Sequence, residues 1–237
     1  VERFPQRANY HYWCPHLSEV DGCFDLICIV NTLMYIENPA EFMSEVDRLL
    51  GENGLLFLVT PNTAINPCFL SLGDQLLYFS PANLANLMAR YGFAIETTTN
   101  HPAFPRSILA VCRRASASQV MGVKPDPSFS DAVDWLTTRA KNVRMTVEAA
   151  RRDSQTGRIG ILGGAHNAAW AFNAADGDID CFVDENPARV GNVFYEKPII
   201  HPRQMVNKDL LLLPYGATAE TIARKFASIY EARLVTI

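Results

Sequence analysis

The sequence predicts an α/β protein made of two units in series, joined by a long helix. Three observations carry this. In the first half, the continuous apolar runs FDLICIV (24–30) and LLFLVT (55–60) read as buried strands and alternate with helix-like segments. The alternation restarts at RIGILGG (158–164) and continues through DIDCFVDENP (178–187) and DLLLLPYG (209–216). Between the two, Phe129, Val133, Leu136, Ala140, Val143, Val147 and Ala150 recur at spacings of three and four, a strict apolar seam. The predicted units are residues 1–113 and 156–237, with 114–155 as linker and helix.

The elements follow in order. Ala8–Cys14 and Phe24–Val30 are predicted strands, and Pro39–Leu50 a helix with proline in its first turn and Phe42, Val46, Leu49 and Leu50 on one face. Gly51 and Gly54 are read as a turn before the strand Leu55–Thr60, which Pro61 stops. Ser80 is placed to cap a helix from Pro81 to Tyr91 that ends at Gly92. Phe93–Thr98 and Ser107–Arg113 are expected to form an antiparallel pair. After a polar, proline-punctuated stretch comes the seam helix, packed across both units or forming a dimer seam. His166–Ala174 and Thr218–Tyr230 are predicted helices of the second unit, and ARLVTI (232–237) its last strand.

A formal charge of −4 gives no broad basic field, which excludes nucleic acid as the main partner. The longest apolar runs are too short to span a bilayer, and the N-terminus lacks a basic-then-apolar signal, so a cytoplasmic protein without a membrane partner is expected. Six cysteines occur singly, which suits buried free thiols. HYWCPH (11–16) is not read as a metal site, because alternation puts His11 and Cys14 on opposite faces and no second ligand pair follows.

FDLICIVNTLMYIENPAEFMSEVDRLLGENGLLFLVTPN, with YFSPANLANLMARYGF (78–93) after it, resembles the second half of a class I S-adenosylmethionine (SAM) methyltransferase. The matching pieces are Phe24-Asp25, Thr32 to Tyr35, Arg48 to Leu50, Asn53-Gly54 and Thr60 to Asn62. The resemblance covers roughly residues 5 to 113 and implies an incomplete Rossmann-like methyltransferase sheet. It also implies that Asn31, Thr32 and Leu33, at a strand's carboxyl end, touch the cofactor SAM. In the family an earlier strand ends in a glycine turn, and an acid closes the next strand. This sequence is expected to begin after both, as a fragment, a rearranged sheet, or an edge completed by a partner chain.

VDENPARVGNVFYEKPIIHPRQM (183–205), after the glycine turn at Gly163, resembles the C-terminal domain of sugar C-methyltransferases. This implies a second, smaller Rossmann-like domain that helps to hold a nucleotide-sugar. Gly163, Gly164, Ala165, His166 and Asp184 are the substrate-binding candidates, with Asp184 placed where an acid can bind ribose hydroxyls. That family also carries E-H-x-x-Y-F-S, matched here by Asp74 to Ser80, so Asp74 and Tyr78 are the catalytic candidates. Gln75 replaces the histidine and is no base, which leaves O- or N-methylation better served than C-methylation. The expected partner is a small molecule, with a homodimer as a further expectation. The alternatives are a non-catalytic nucleotide-sugar-binding module and a dinucleotide enzyme using Gly163 to Ala168.

Overall fold

Residues 16–99, 104–116 and 125–237 are described by the computed structural model. The strand expected at Ala8–Cys14 lies outside them, as does most of the HYWCPH cluster. Phe24–Val30 forms β1. Asn38 then caps α1, Pro39–Leu49, by accepting a hydrogen bond from the Glu41 N–H, with proline in the first turn. Met43, Val46 and Leu49 are the face that α1 buries.

The helix passes straight into β2, Leu50–Pro61. This corrects the turn read at Gly51 and Gly54, which lie inside the strand. The pairing of β1 with β2 slips between Phe24 and Leu26, so an irregularity absorbs these residues. A Cβ on Gly54 would come within 2.9 Å of the Phe24 carbonyl oxygen, so close backbone approach is the glycine's reason. Arg114 fastens the same corner, donating to Asp47 Oδ1 at 2.6 Å and to the carbonyls of Leu50 and Gly51.

Ser80 and Asn83 form a capping box at the start of α2, Pro81–Arg90. The strands β3, Phe93–Thr99, and β4, Ser107–Arg114, pair antiparallel as expected. The first sheet runs β1-β2-β4-β3, with β1 and β2 parallel. Among the described residues β1 is therefore an edge strand rather than a buried central one. Leu26 and Val30 are 54% and 51% exposed, and Cys28 on the same face is exposed too. Cys23 is likewise exposed, so the expectation of buried thiols fails for these two and holds for Cys68, Cys112 and Cys181.

Ser128–Arg152 forms α3, about 37 Å long at the helical rise. Val143, Val147 and Ala150 join the core of the second sheet. The start of the seam does not follow, since Phe129 and Val133 are exposed. Trp135 instead packs toward α4, His166–Ala174, with its ring 5.7 Å from Trp170. Arg151 ties the end of α3 to Asp178 and Asp180.

The second sheet contains β5, Ile159–Leu162; β6, Cys181–Val183; β7, Val193–Phe194; β8, Lys197–Ile200; β9, Leu210–Leu213; and β10, Arg233–Thr236. Its order is β10-β9-β5-β6-β8-β7, parallel throughout except at β7. The last helix, α5, is Ala219–Ala227. The hairpin β7–β8 was not among the expected elements. The mixed α/β architecture, with a long helix before a second Rossmann-like sheet, is the expected class; among the described residues that sheet has six strands against four in the first, so it is not the smaller of the two. Strand order reverses between β5 and β9, and the crevice at a reversal, beyond the carboxyl ends, is where such sheets receive ligands. Among the described residues no helix is long and apolar enough to cross a membrane.

Candidate functional site

The carboxyl ends of the two sheets meet. After β2 ends at Pro61, the chain runs through Asn62 into a short 3₁₀ turn, Pro67–Ser71, that packs on α4. Asn66 and Asn167 exchange amide hydrogen bonds at 3.2 Å in both directions, and both are buried. Asn167 also donates to the Pro214 carbonyl at 2.6 Å, tying the end of β9 into the same junction.

His166 completes this junction. The amide Nδ2 of Asn66 lies 3.3 Å from its Nε2, and Phe69 stacks on its ring at 5.0 Å. In this arrangement Asn66 offers hydrogens, so Nε2 must offer its lone pair and the neutral imidazole is favoured. Burial holds the His166 pKa below its ordinary 6.5. The Arg106 guanidinium adds to this, while Asp74 pulls the other way. Thus the predicted substrate residue His166 and the predicted catalytic residue Asp74 feel each other across the junction. Asp74 itself is exposed.

On the second sheet, a cavity of about 290 Å³ lies over the glycine turn, lined by Gly163, Gly164, Asp184, Arg189, Tyr215 and Lys225 among others. Gly163 has φ +94°, and a Cβ there would stand 2.6 Å from the Tyr215 hydroxyl. The Gly163 N–H donates to the Val183 carbonyl, which closes the turn across β6. Asp184 is half-buried with both oxygens engaged, by the Asn186 N–H at 2.9 Å and by Arg189 at 3.3 Å. Ala165, at the N-cap of α4, offers no side-chain acceptor to that helix's first turn. Gly163, Gly164, Ala165 and Asp184 therefore share one cavity, and His166 sits beside it on the junction.

On the first sheet, Asn31 ends β1 in the left-handed region, φ +48°, and its N–H donates to the Val59 carbonyl at 2.8 Å. Thr32 is exposed and donates its hydroxyl to the Val30 carbonyl. The Leu33 side chain is core, which leaves only its backbone for a ligand. The N–H groups of Leu76 and Leu77 both donate to the Met34 carbonyl, so the segment carrying Asp74 and Tyr78 is strapped onto this loop. Two buried hydroxyls at this end, Thr60 and Thr63, have no partner among the described residues. Asn31, Thr32 and the unpartnered threonines put polar groups at the carboxyl ends of β1 and β2 among the described residues. The described residues include no glycine cradle at the carboxyl ends of β1 and β2, so they do not enclose a cofactor by themselves.

Sequence reasoning missed Asn66, Asn167, Arg106 and Tyr215. Asn66, Arg106 and Tyr215 are single polar residues in loops and Asn167 lies in the first turn of α4, and no spacing connects them. The one available signal was position, since each sits next to a strand's end or start.

No curated protein matches the chain. Among solved structures, the pyocyanin biosynthetic protein PhzM shares 16% identity at a TM-score of 0.35, covering 42% of this chain and 33% of that one. An S-adenosylmethionine-dependent methyltransferase from Mesorhizobium loti shares 19% at a TM-score of 0.34, covering 42% and 67%. The CcbJ methyltransferase from Streptomyces caelestis shares 16% at 0.34, covering 43% and 62%. The matched region thus spans 33% to 67% of those chains. Residues 4–98 match the family model of a methyltransferase domain, and over that segment the chain is similar to a methyltransferase.

Proposed function

We propose that the chain is part of a SAM-dependent methyltransferase acting on a small molecule of the sugar-nucleotide class. In this reading the second sheet holds the acceptor and the first presents the methyl donor. The match of residues 4–98 to a methyltransferase domain supports the reaction class. The observation that supports the arrangement is the Asn66–Asn167 junction, which brings the loop after β2 against the start of α4. Bound SAM would supply an electrophilic methyl group.

The chain's own residues do the rest by positioning. Asn31 and Thr32 form one wall for the donor. The strap onto Met34 keeps Asp74 and Tyr78 beside that wall, and Asp74 is the candidate to take a proton from an acceptor hydroxyl or amine. Gln75, in the place of the related enzymes' histidine, cannot remove a proton beside a carbonyl, which favours O- or N-methylation. Gly163, Gly164, Ala165, His166 and Asp184 hold the acceptor.

The test is transfer of labelled methyl from SAM to a panel of nucleotide-sugars by the native gene product. Labelled product is expected from at least one member. A protein that binds nucleotide-sugars but transfers no methyl would instead support the non-catalytic module. That second reading draws on the edge position of β1 and the missing glycine cradle among the described residues.

A further inference from the structure

Among the described residues, the cations near the cavity over Gly163 are not all paired with an acid. At the cavity over Gly163 the two cations each face an acid, Arg189 with Asp184 at 3.3 Å and Lys225 with Glu185 at 3.4 Å. Arg106 is different. It is half-buried, and among the described residues no carboxylate pairs with it. Its guanidinium carbon lies 5.9 Å from the Tyr215 ring centroid, and Tyr215 is a wall of that cavity.

The position of Arg106 is fixed from the first sheet. It precedes β4, and its carbonyl accepts from the Asn62 N–H at 2.9 Å, which places it at the carboxyl end of β2. Its charge reaches Tyr215, His166 and Cys68, all of which are half-buried or buried, and works against ionisation of the imidazole. A guanidinium withdrawn from water without a carboxylate is costly unless an anion joins it. Its planar fork suits two oxygens of one phosphoryl group, and stacking on an aromatic face holds that fork in place.

We propose that Arg106 is the phosphoryl-binding residue of the cleft, reaching from the first sheet to a phosphate or pyrophosphate group of the ligand held over the second. The proposal deepens the sugar-nucleotide reading and rests on it for the identity of the cleft. It assigns recognition of the anion to a residue on the methyltransferase-like side. The anion would then be held from the first sheet at a cavity walled by the second, since Arg106 and Tyr215 come from different sheets.

The experiment is calorimetric titration of the native gene product with inorganic pyrophosphate, with succinate as a dicarboxylate comparison. Saturable pyrophosphate binding is expected, weakened at least about tenfold by Arg106→Gln and less by Arg106→Lys, which keeps the charge and loses the fork. Arg139→Gln, whose guanidinium stacks on Trp135 instead, should leave the affinity unchanged. Because Arg106→Lys keeps a cation in place, a folding defect in the glutamine variant would not hide the result. Equal affinity of wild type and both Arg106 variants, no pyrophosphate binding, or succinate binding as tightly would each overturn the assignment. SAM titration of the same samples separates the two ideas. Pyrophosphate binding without SAM binding contradicts the methyltransferase reading alone, and SAM binding without pyrophosphate binding contradicts this proposal alone.

Discussion

Asn66 and Asn167, 101 residues apart in sequence, face each other as a reciprocal amide pair, each donating to the other at 3.2 Å. Both are buried, so each amide would be expensive to leave unmatched. The pair joins the loop after β2 to the first turn of α4. It is a contact through which the ends of the two sheets meet.

Replacing Asn167 with Ala strands the Asn66 amide and removes a donor to the Pro214 carbonyl. A loss of about 1–3 kcal/mol is expected, read as a lower midpoint in urea unfolding. The double variant Asn66→Ala/Asn167→Ala should lose less than the two single losses added together, because the second change removes a group already stranded. Additive losses would show that the two amides do not act as a pair.

The pH dependence follows from His166. Its folded pKa lies below the ordinary 6.5, so the unfolded chain takes up the proton first as pH falls. The stability that His166 contributes is complete above 6.5 and is lost as pH falls from there through the lower folded value. Wild type should lose more unfolding free energy between pH 7.5 and 5.5 than His166→Gln does. An equal loss in both would place the dependence elsewhere. Asp74→Asn removes the carboxylate that favours the charged ring, so the His166 proton resonance should titrate at still lower pH.

Gly163 tests the turn. Alanine there would need φ +94° and would meet the Tyr215 hydroxyl at 2.6 Å. A cost of roughly 1–3 kcal/mol is expected, from backbone strain and contact together. Tyr215→Phe removes the nearest atom, so the double variant should recover part of that loss in thermal unfolding. No recovery would assign the whole cost to the backbone.

Asp74→Asn should lower the rate of methyl transfer by about 100-fold or more while leaving SAM affinity within error, as removal of a general base does. A parallel loss of SAM affinity would make Asp74 a binding group instead.

Much of the fold was legible because its signals are local. Asn38-Pro39, Ser80-Pro81 and Gly92 mark helix ends through caps and φ preferences that need no partner. The exposed face of β1 was not legible, since an apolar run shows that a strand wants cover and not what covers it. The β7–β8 hairpin turns through Tyr195 and Glu196, both at positive φ, without the Asn-Gly that usually announces such a turn. The glycine turn and Asp184 were legible as a motif with order and spacing. Arg106 and Tyr215 meet only because β4 runs antiparallel to β2 and β9 lies beside β5, and no linear pattern encodes that.

The central claim is that the cleft belongs to a methyl-transferring enzyme. Calorimetric titration of the native gene product with SAM tests it most directly. The account predicts a saturable heat with one site per chain. A flat titration from a folded protein would contradict it and leave the non-catalytic binding module as the reading to test.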